Sequence, residues 1–468
     1  MTDNAIRLVE LLIDIVGEDR VLSGDAIPDD YSHDEALTAT ARKPLALVRP
    51  RCTEEVSAIL SLANKHRFPV TARGSGTGLS GAAIGSPDGV LVSFELMDRV
   101  LEIDTVNHIA VVQPGVTLEK LDETTASHGL VYQVFPGESS ASLGGNVATN
   151  AGGMRAVKYG VTRHQVLGLE AVLATGEVIR TGGKFVKTST GYDLTQLIVG
   201  SEGTLALVTE VTLKLYPRLP HTATVLAPFG ALDSVTAAVP RIIGSGCAPL
   251  ILEYVDKLTM AAMTANVSLD LGIPKATQEA ALAYLVVVLE NTHAARLDED
   301  VAALGALLVE LGAIEVYVLP SQAAAQLIEA REKAFFVARA LGANDIVDVV
   351  VPRAAIPAYM ARVGAVAQEY GALVNGCGHF GDGNVHLSVF EPDDERRSAL
   401  LRALFNIGIE LGGAISAEHG IGTEKRRYFC ELEDPVKRSL MRRIKQAFDP
   451  NGILGPGVIF DEATRTVP

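Results

Sequence analysis

PVTARGSGTGLSGAAIG, residues 69–85, places glycines at 74, 76, 78, 81 and 85 in one short stretch. Glycine leaves the backbone free to take positive φ, and consecutive exposed amides can then form an anion-binding concavity. Arg73 adds a positive charge. No GK[ST] ends the stretch, so it is not a Walker A loop. No helix-forming run with an acid at its end follows, so it is not a convincing dinucleotide fingerprint either. A glycine-rich surface loop would explain this stretch alone. A second one, FPGESSASLGGNVATNAGGMRAVKYG at 135–160, brings glycines 137, 144, 145, 152 and 153 among Ser139, Ser140, Ala141, Ser142, Ala148, Thr149 and Ala151. Small side chains let a flat ring and a diphosphate approach the backbone closely. Two such stretches in one chain are hard to explain as turns.

Around them, a strand at Ala46–Val48 precedes a helix opening near Thr53, where Glu54 and Glu55 suit the helix dipole. Strand-like runs at 89–94 and 109–113 and a helix at about 117–128 lie between the two stretches. After Val166 the pattern is mostly β, ending in the alternating TLALVTEVTLKLYP of 204–217. Pro217 and Pro220 bracket a domain boundary. Beyond it strands at 222–229, 284–289 and 315–319 alternate with helices near 232–244 and 297–311. This reads as an α+β domain with helices on one face of a sheet. The tail, FDPNGILGPG at 448–457, reads as a return to the first domain.

At 468 residues the chain exceeds one ordinary core, so at least two domains are expected. The net charge of −16 argues against nucleic acid and anionic membranes as partners. No apolar run approaches the ~20 residues that span a bilayer. The N-terminal Ala5–Val16 is instead amphipathic, with Ala5, Leu8, Val9, Leu12, Ile15 and Val16 on one face and Gly17 as its stop, and it lacks signal-peptide features. Cys52, Cys247, Cys377 and Cys430 form no CxxC pair and read as reduced thiols. A cytoplasmic protein is expected, with a peripheral place at the inner membrane face left open.

Three of the ten histidines, His379, His386 and His419, fall close together near the C-terminus. In VNGCGHFGDGNVHLSVF (374–390) strand-like residues flank a turn at 381–384, a hairpin signal that sets His379 and His386 on its two arms. ISAEHGIG (415–422) puts Glu418 beside His419 before a glycine turn. Two imidazoles and a carboxylate could hold Zn²⁺ with open positions for substrate, and Fe²⁺ or Mn²⁺ suit similar ligands. On spacing alone, ordinary polar residues of a hairpin and a turn are the plainer explanation.

ARGSGTGLSG, SLGGNVATNAGG and GYDLTQLIVGSEGTLALVTEVTL, in that order over 42–217, resemble the FAD-binding domain of the vanillyl-alcohol oxidase and p-cresol methylhydroxylase superfamily. With GHFGDGNVH and AEHGIGTEKRRY added, nearly the whole chain resembles the FAD-linked 2-hydroxyacid dehydrogenases, in the branch of D-lactate dehydrogenase and the glycolate oxidase FAD subunit. The resemblance implies an α+β fold: a two-part FAD-binding domain at 1–217 and 421–468, and a substrate-binding cap at 218–420 with an antiparallel sheet and helices. It implies that Arg73, Gly74, Ser75, Gly76, Thr77, Gly78 and Leu79 cradle the FAD pyrophosphate. Pro136, Gly137, Ser142, Gly144, Gly145, Asn146, Thr149 and Gly152 would line the flavin and ribityl chain, and Glu202, Gly203 and Val208 the adenosine end. Thr77 stands where some relatives carry a flavin-tethering histidine, so FAD is expected to be noncovalent. His379, His386 and Glu418 match metal ligands, His419 the catalytic base, and Asn384 a substrate contact.

The implied chemistry is metal-assisted oxidation of a small D-2-hydroxy acid to the 2-oxo acid. The metal chelates carboxylate and hydroxyl, His419 takes the hydroxyl proton, and hydride passes to flavin N5. In EAREKAFF (329–336), Arg331 matches an arginine that pairs with the substrate carboxylate. Arg353 is a second candidate. Relatives specific for D-2-hydroxyglutarate carry a threonine and a lysine near the positions of Phe335 and Ile346. Apolar groups there favour a monocarboxylate such as D-lactate, D-2-hydroxybutyrate or glycolate. D-2-hydroxyglutarate dehydrogenase and a flavin-bearing subunit of a glycolate oxidase complex are the rivals. The electron acceptor (quinone, cytochrome or electron-transfer flavoprotein) and a homodimeric state stay open. Gly455, Pro456, Gly457 and Val458 depart from the NPGK of relatives, so a polar contact near the flavin is lost or replaced.

Overall fold

The computed structural model describes residues 3–461, so the last residues of the expected C-terminal return, 462–468, lie outside the described part. The buried apolar runs ALV, VLV and VTAR form a sheet in the order Val21–Ser23, Ala46–Val48, Val90–Ser93, Val70–Arg73. Its last three strands are parallel, the arrangement in which near-continuous apolar strands are buried on both faces. Helix Thr53–His66 covers it with Val56, Ile59, Leu60 and Ala63, a helical stripe. The N-terminal helix, Asp3–Val16, packs Leu12 and Val16 into the same core.

A second sheet is antiparallel, ordered Val100–Asp104, Ile109–Val112, Ala206–Lys214, Val166–Leu173, Val178–Gly182. The alternating TLALVTEVTLKL run supplies its central strand. The chain comes back at its C-terminal end: Val70 N donates to Ile453 O at 2.8 Å and Gly455 N to Val70 O at 2.9 Å, extending the parallel sheet. Buried Asp449 fixes this approach by accepting from Ile453 N and Leu454 N.

Residues from His221 onward build one seven-stranded sheet. Its order is Tyr317–Val318, His221–Phe229, Ala283–Asn291, Ile251–Asp256, Leu373–Gly378, Asn384–Phe390, Asp345–Val350, with every pairing antiparallel. Helices were expected on one face; they cover both. Val225, Ala227, Phe229 and Val287 face Val235, Val239 and Leu304 of the helices at 232–244 and 294–310. Leu226, Val255 and Val286 face Met260, Met263 and Leu327 on the other side. Strands such as YLVVVL are apolar at every position because both faces are buried, which hides the period-two signal. The 373–390 hairpin forms with Cys377 opposite His386. Gly376 is required there, since a Cβ would collide with the His386 carbonyl.

Candidate active site

The two glycine-rich stretches face each other and are tied by Ser75 Oγ donating to Ser140 O at 2.6 Å. They enclose a cleft of about 1320 Å³, open solvent at its mouth included. Every residue expected at the cofactor lines this cleft except Gly137, which lines the neighbouring one. Its walls are backbone because side chains have no room. A Cβ on Gly74 would fall on Ser142 Oγ, one on Gly144 would stand 2.6 Å from Pro114 Cβ, and one on Gly152 2.6 Å from Glu418 Oε2. A long, narrow cleft of glycine amides and small side chains suits a dinucleotide with a flat ring.

Two of these lining residues also hold the cleft wall to other segments. The Arg73 guanidinium does not reach into the cleft as a free charge. It donates to His33 O and Asp30 O, both at 2.7 Å, and lies over the Tyr31 ring, so it braces the N-terminal segment. Any anion in the cleft is therefore met by amides rather than by this cation. Glu202 is likewise engaged: its carboxylate accepts from Ile421 N at 2.9 Å and Gly422 N at 2.7 Å. It ties the cleft wall to the turn that follows His419. Burial pushes its pKa up to about 7, against the pull of those amides and of Lys425.

At the inner end of the cleft three imidazoles converge on one carboxylate. Glu418 Oε1 lies 3.4 Å from His379 Nε2, 3.2 Å from His386 Nε2 and 3.8 Å from His419 Nε2. The hairpin delivers His386 on strand Asn384–Phe390 and His379 just past strand Leu373–Gly378. Behind them stand two buried acids. Glu253 Oε1 takes His379 Nδ1 at 2.6 Å. Asp348 Oδ2 accepts from Ser416 Oγ and from the amides of Ala417, Glu418 and His419 at 2.7–3.1 Å, fixing the whole turn. Its Oδ1 faces His386 Nδ1 at 3.6 Å.

Glu253 and Asp348 were missed in the sequence. Each is an acid with an apolar or aromatic residue on either side inside a buried β run, ILEYVD and DIVDVV, and that placement was the available signal. Asp348, His386, Glu418 and His419 can bring ligand atoms within 4.8 Å of one another, a set that omits His379. We favour His379 over Asp348 as a ligand, because one Asp348 oxygen is spent on four donors while His379 Nε2 points at Glu418 Oε1 in the centre of the cluster. Glu418 Oε2, His419 Nδ1 and Asp348 Oδ1 are buried without a hydrogen-bond partner. Unpaired buried polar atoms are costly, and a multivalent cation with its substrate would satisfy such a concentration of them. The residues present thus fit a divalent metal.

Burial opposes charge on His379, but Glu253 and Glu418 override it and push its pKa up to about 10. His419 is held below the ordinary imidazole range by burial, with Lys425 and His386 adding to the effect against Asp348. Glu418 stays well below the carboxylate range despite burial, because His379 and His386 face it.

A second cleft joins the first across Leu79, Pro136, Glu418 and His419, which line both. Arg331 and Phe335 line it, as does Ile346. Arg331 Nη2 sits 2.7 Å from Glu253 Oε2, an ion pair whose angles leave both atoms outside hydrogen-bond geometry. Asn384 is buried with Oδ1 unpartnered, yet it lines neither cleft. Arg353 is exposed in a short 3-10 turn and is not part of the site.

A sheet-and-cap fold with a glycine-walled cleft running into a histidine cluster defines a flavoprotein of the p-cresol methylhydroxylase architecture. Residues 44–182 match the FAD binding domain family, and residues 218–459 match the family described as FAD linked oxidases, C-terminal domain. The chain belongs to the FAD-linked oxidases and is an FAD-linked oxidoreductase. It is 58% identical over 449 residues to an uncharacterised FAD-linked oxidoreductase of Mycobacterium tuberculosis, covering 96% of this chain and 98% of that one. It is 36% identical over 452 residues to a D-lactate dehydrogenase of Anaerostipes hadrus, with 94% of each chain covered. The solved structure of p-cresol methylhydroxylase with substrate bound matches 98% of this chain and 97% of its own at a TM-score of 0.76. At 19% identity that is a likeness of fold.

Proposed function

We propose that the protein oxidises a D-2-hydroxy acid with a single carboxylate, D-lactate being the type compound, to the 2-oxo acid. Noncovalent FAD and a divalent metal, Zn²⁺ by its ligand set, would serve the reaction. The FAD-binding part is taken as 1–217 and 421–468, and the cap as 218–420. The observation that carries the reading is the convergence of His379, His386 and His419 on Glu418 where the two clefts join.

When bound, FAD accepts the hydride and a divalent cation draws charge from the carboxylate and hydroxyl oxygens of the substrate. His379, His386 and Glu418 hold the cation. Glu253 keeps the His379 proton on Nδ1, so that Nε2 is free to ligate. Arg331 meets the substrate carboxylate from the cap. His419 accepts the hydroxyl proton at Nε2 while its Nδ1, 3.8 Å from Asp348 Oδ2, faces a carboxylate that stabilises the resulting imidazolium. Leu79 and Pro136 form an apolar collar that keeps water from the reacting carbon. Among the described residues no cysteine lines the first cleft and His419 is its one histidine, and Thr77 cannot form a flavin bond, all of which favour noncovalent FAD.

The test is anaerobic flavin bleaching with D-lactate, L-lactate, glycolate and D-2-hydroxyglutarate, repeated after chelation and with His419→Ala. Bleaching by a D-monocarboxylate, lost on chelation and in the variant, supports the scheme. No bleaching by any of them in a protein that holds FAD and metal removes it.

A further inference from the structure

We infer that the preferred substrate carries an apolar side chain of several carbons, so that lactate and glycolate are short members of its class and dicarboxylates are excluded. The inference rests on the hydroxy-acid reading above and concerns what lies beyond the reacting carbon.

The second cleft spans about 910 Å³ including its mouth. His379, His386, Glu418 and Arg331 stand at one end. From there it runs between two cap helices, Lys257–Asn266 and Ala334–Ala340, to Leu341, which is 64% exposed and marks the opening. Ala262, Met263, Val337 and Ala338 line this run, with Met154 and Phe390 closing its sides. A methyl group, comparable in size to the ~30 Å³ share of one water molecule, would leave the apolar walls at Ala262, Met263, Val337 and Ala338 facing solvent. An alkyl or aryl side chain would displace that water, and the two methionines can adapt to its shape.

The polar groups along the run offer little to a second carboxylate, since the buried, unpartnered Asn375 Oδ1 is itself an acceptor. Asn375 Nδ2 donates to Thr259 Oγ1 at 3.1 Å. Cys377 is buried and lines the wall as a small hydrophobe. Charge argues the same way. Arg331 is the one lysine or arginine lining this cleft among the described residues, and Glu332 adds an acid. Lys425 and Arg397 line an adjoining cleft instead, which meets this one at Leu79, Phe335, Ile346 and His419. A second carboxylate in this run would be desolvated without a partner.

The test uses the FAD- and metal-loaded protein with D-lactate, D-2-hydroxyisocaproate, D-2-hydroxyoctanoate, D-3-phenyllactate and D-2-hydroxyglutarate. Flavin reduction gives kcat/KM, and calorimetry gives the affinity of the matching 2-oxo acids. At ~0.8 kcal/mol per buried methylene, kcat/KM should rise about fourfold per carbon, and the oxo-acid affinities should rise in the same order. Ala262→Phe, which fills the run, should cut the octanoate-to-lactate ratio tenfold or more. FAD content and the thermal unfolding midpoint of the variant show that it has folded. A flat or falling series, or preference for the dicarboxylate, overturns the inference and leaves the hydroxy-acid reading standing. If no acid reduces the flavin of a loaded protein, that reading fails and the inference falls with it.

Discussion

Glu253 holds His379 Nδ1 at 2.6 Å from a buried strand, between Leu252 and Tyr254. Its other oxygen lies 2.7 Å from Arg331 Nη2, so one fully buried carboxylate aligns a metal-ligand candidate and a substrate-binding candidate together. Glu253→Gln should keep the shape, loosen the histidine, and lower metal affinity about 10- to 100-fold with FAD content retained. Glu253→Ala should be far worse, since it strands the Arg331 charge in the interior at a cost of about 3–5 kcal/mol. Metal titration and thermal unfolding of the two variants check this. Equal metal affinity in Glu253→Gln and the native protein would mean that His379 is not a ligand.

Asp348 has a different task. Its Oδ2 gathers four donors from residues 416–419 and so sets where Glu418 and His419 point. Asp348→Asn turns an amide toward either that donor set or the two histidines. We expect turnover to drop at least roughly a hundredfold, as for other groups that orient a catalytic base, while FAD remains bound. Turnover within a few fold of native would show that the turn is held by other contacts.

The glycine walls give an opposite pair of outcomes. Gly144→Ala would set a Cβ 2.6 Å from Pro114 Cβ and 3.0 Å from its carbonyl oxygen, neither of which can swing away. The segment at 143–149 must shift out of the cleft wall, and the purified variant should carry much less FAD. Gly364 sits inside helix Ile356–Tyr370 with nothing within 4 Å of a built Cβ. Gly364→Ala should stabilise the cap by about 0.5–1 kcal/mol with FAD content unchanged. Flavin absorbance per chain and unfolding midpoints settle both.

How far the sequence alone reaches is visible in these residues. The glycine stretches were legible because backbone that must touch a ligand admits few other residue types, and the same holds for the histidine-bearing hairpin. Glu253 and Asp348 were not, because an acid in a strand looks like a solvent-facing position until a histidine or a row of amides is seen behind it. The commitments of Arg73 and Glu202 were invisible too. Their partners lie 40 or more positions away, and no local pattern records them. The second face of the cap sheet was hidden by strands apolar throughout.

Glu202 offers a test by pH. Its carboxylate spans from the cleft wall to the amides of Ile421 and Gly422, and burial lifts its pKa from 4.5 to about 7. Between those values the folded protein binds more protons here than the unfolded chain. The contribution to stability is therefore fully present below about pH 4.5 and is lost as pH rises through about 7, on the order of 3 kcal/mol in all. Glu202→Gln cannot titrate, and it offers one acceptor oxygen for two amides, so it should start less stable than the native protein at pH 5. The gap between the two proteins should then narrow steadily toward pH 8. Unfolding midpoints across that range measure the gap, with FAD content held equal. A gap independent of pH would mean that Glu202 is ionised throughout, its charge carried by the amides and Lys425.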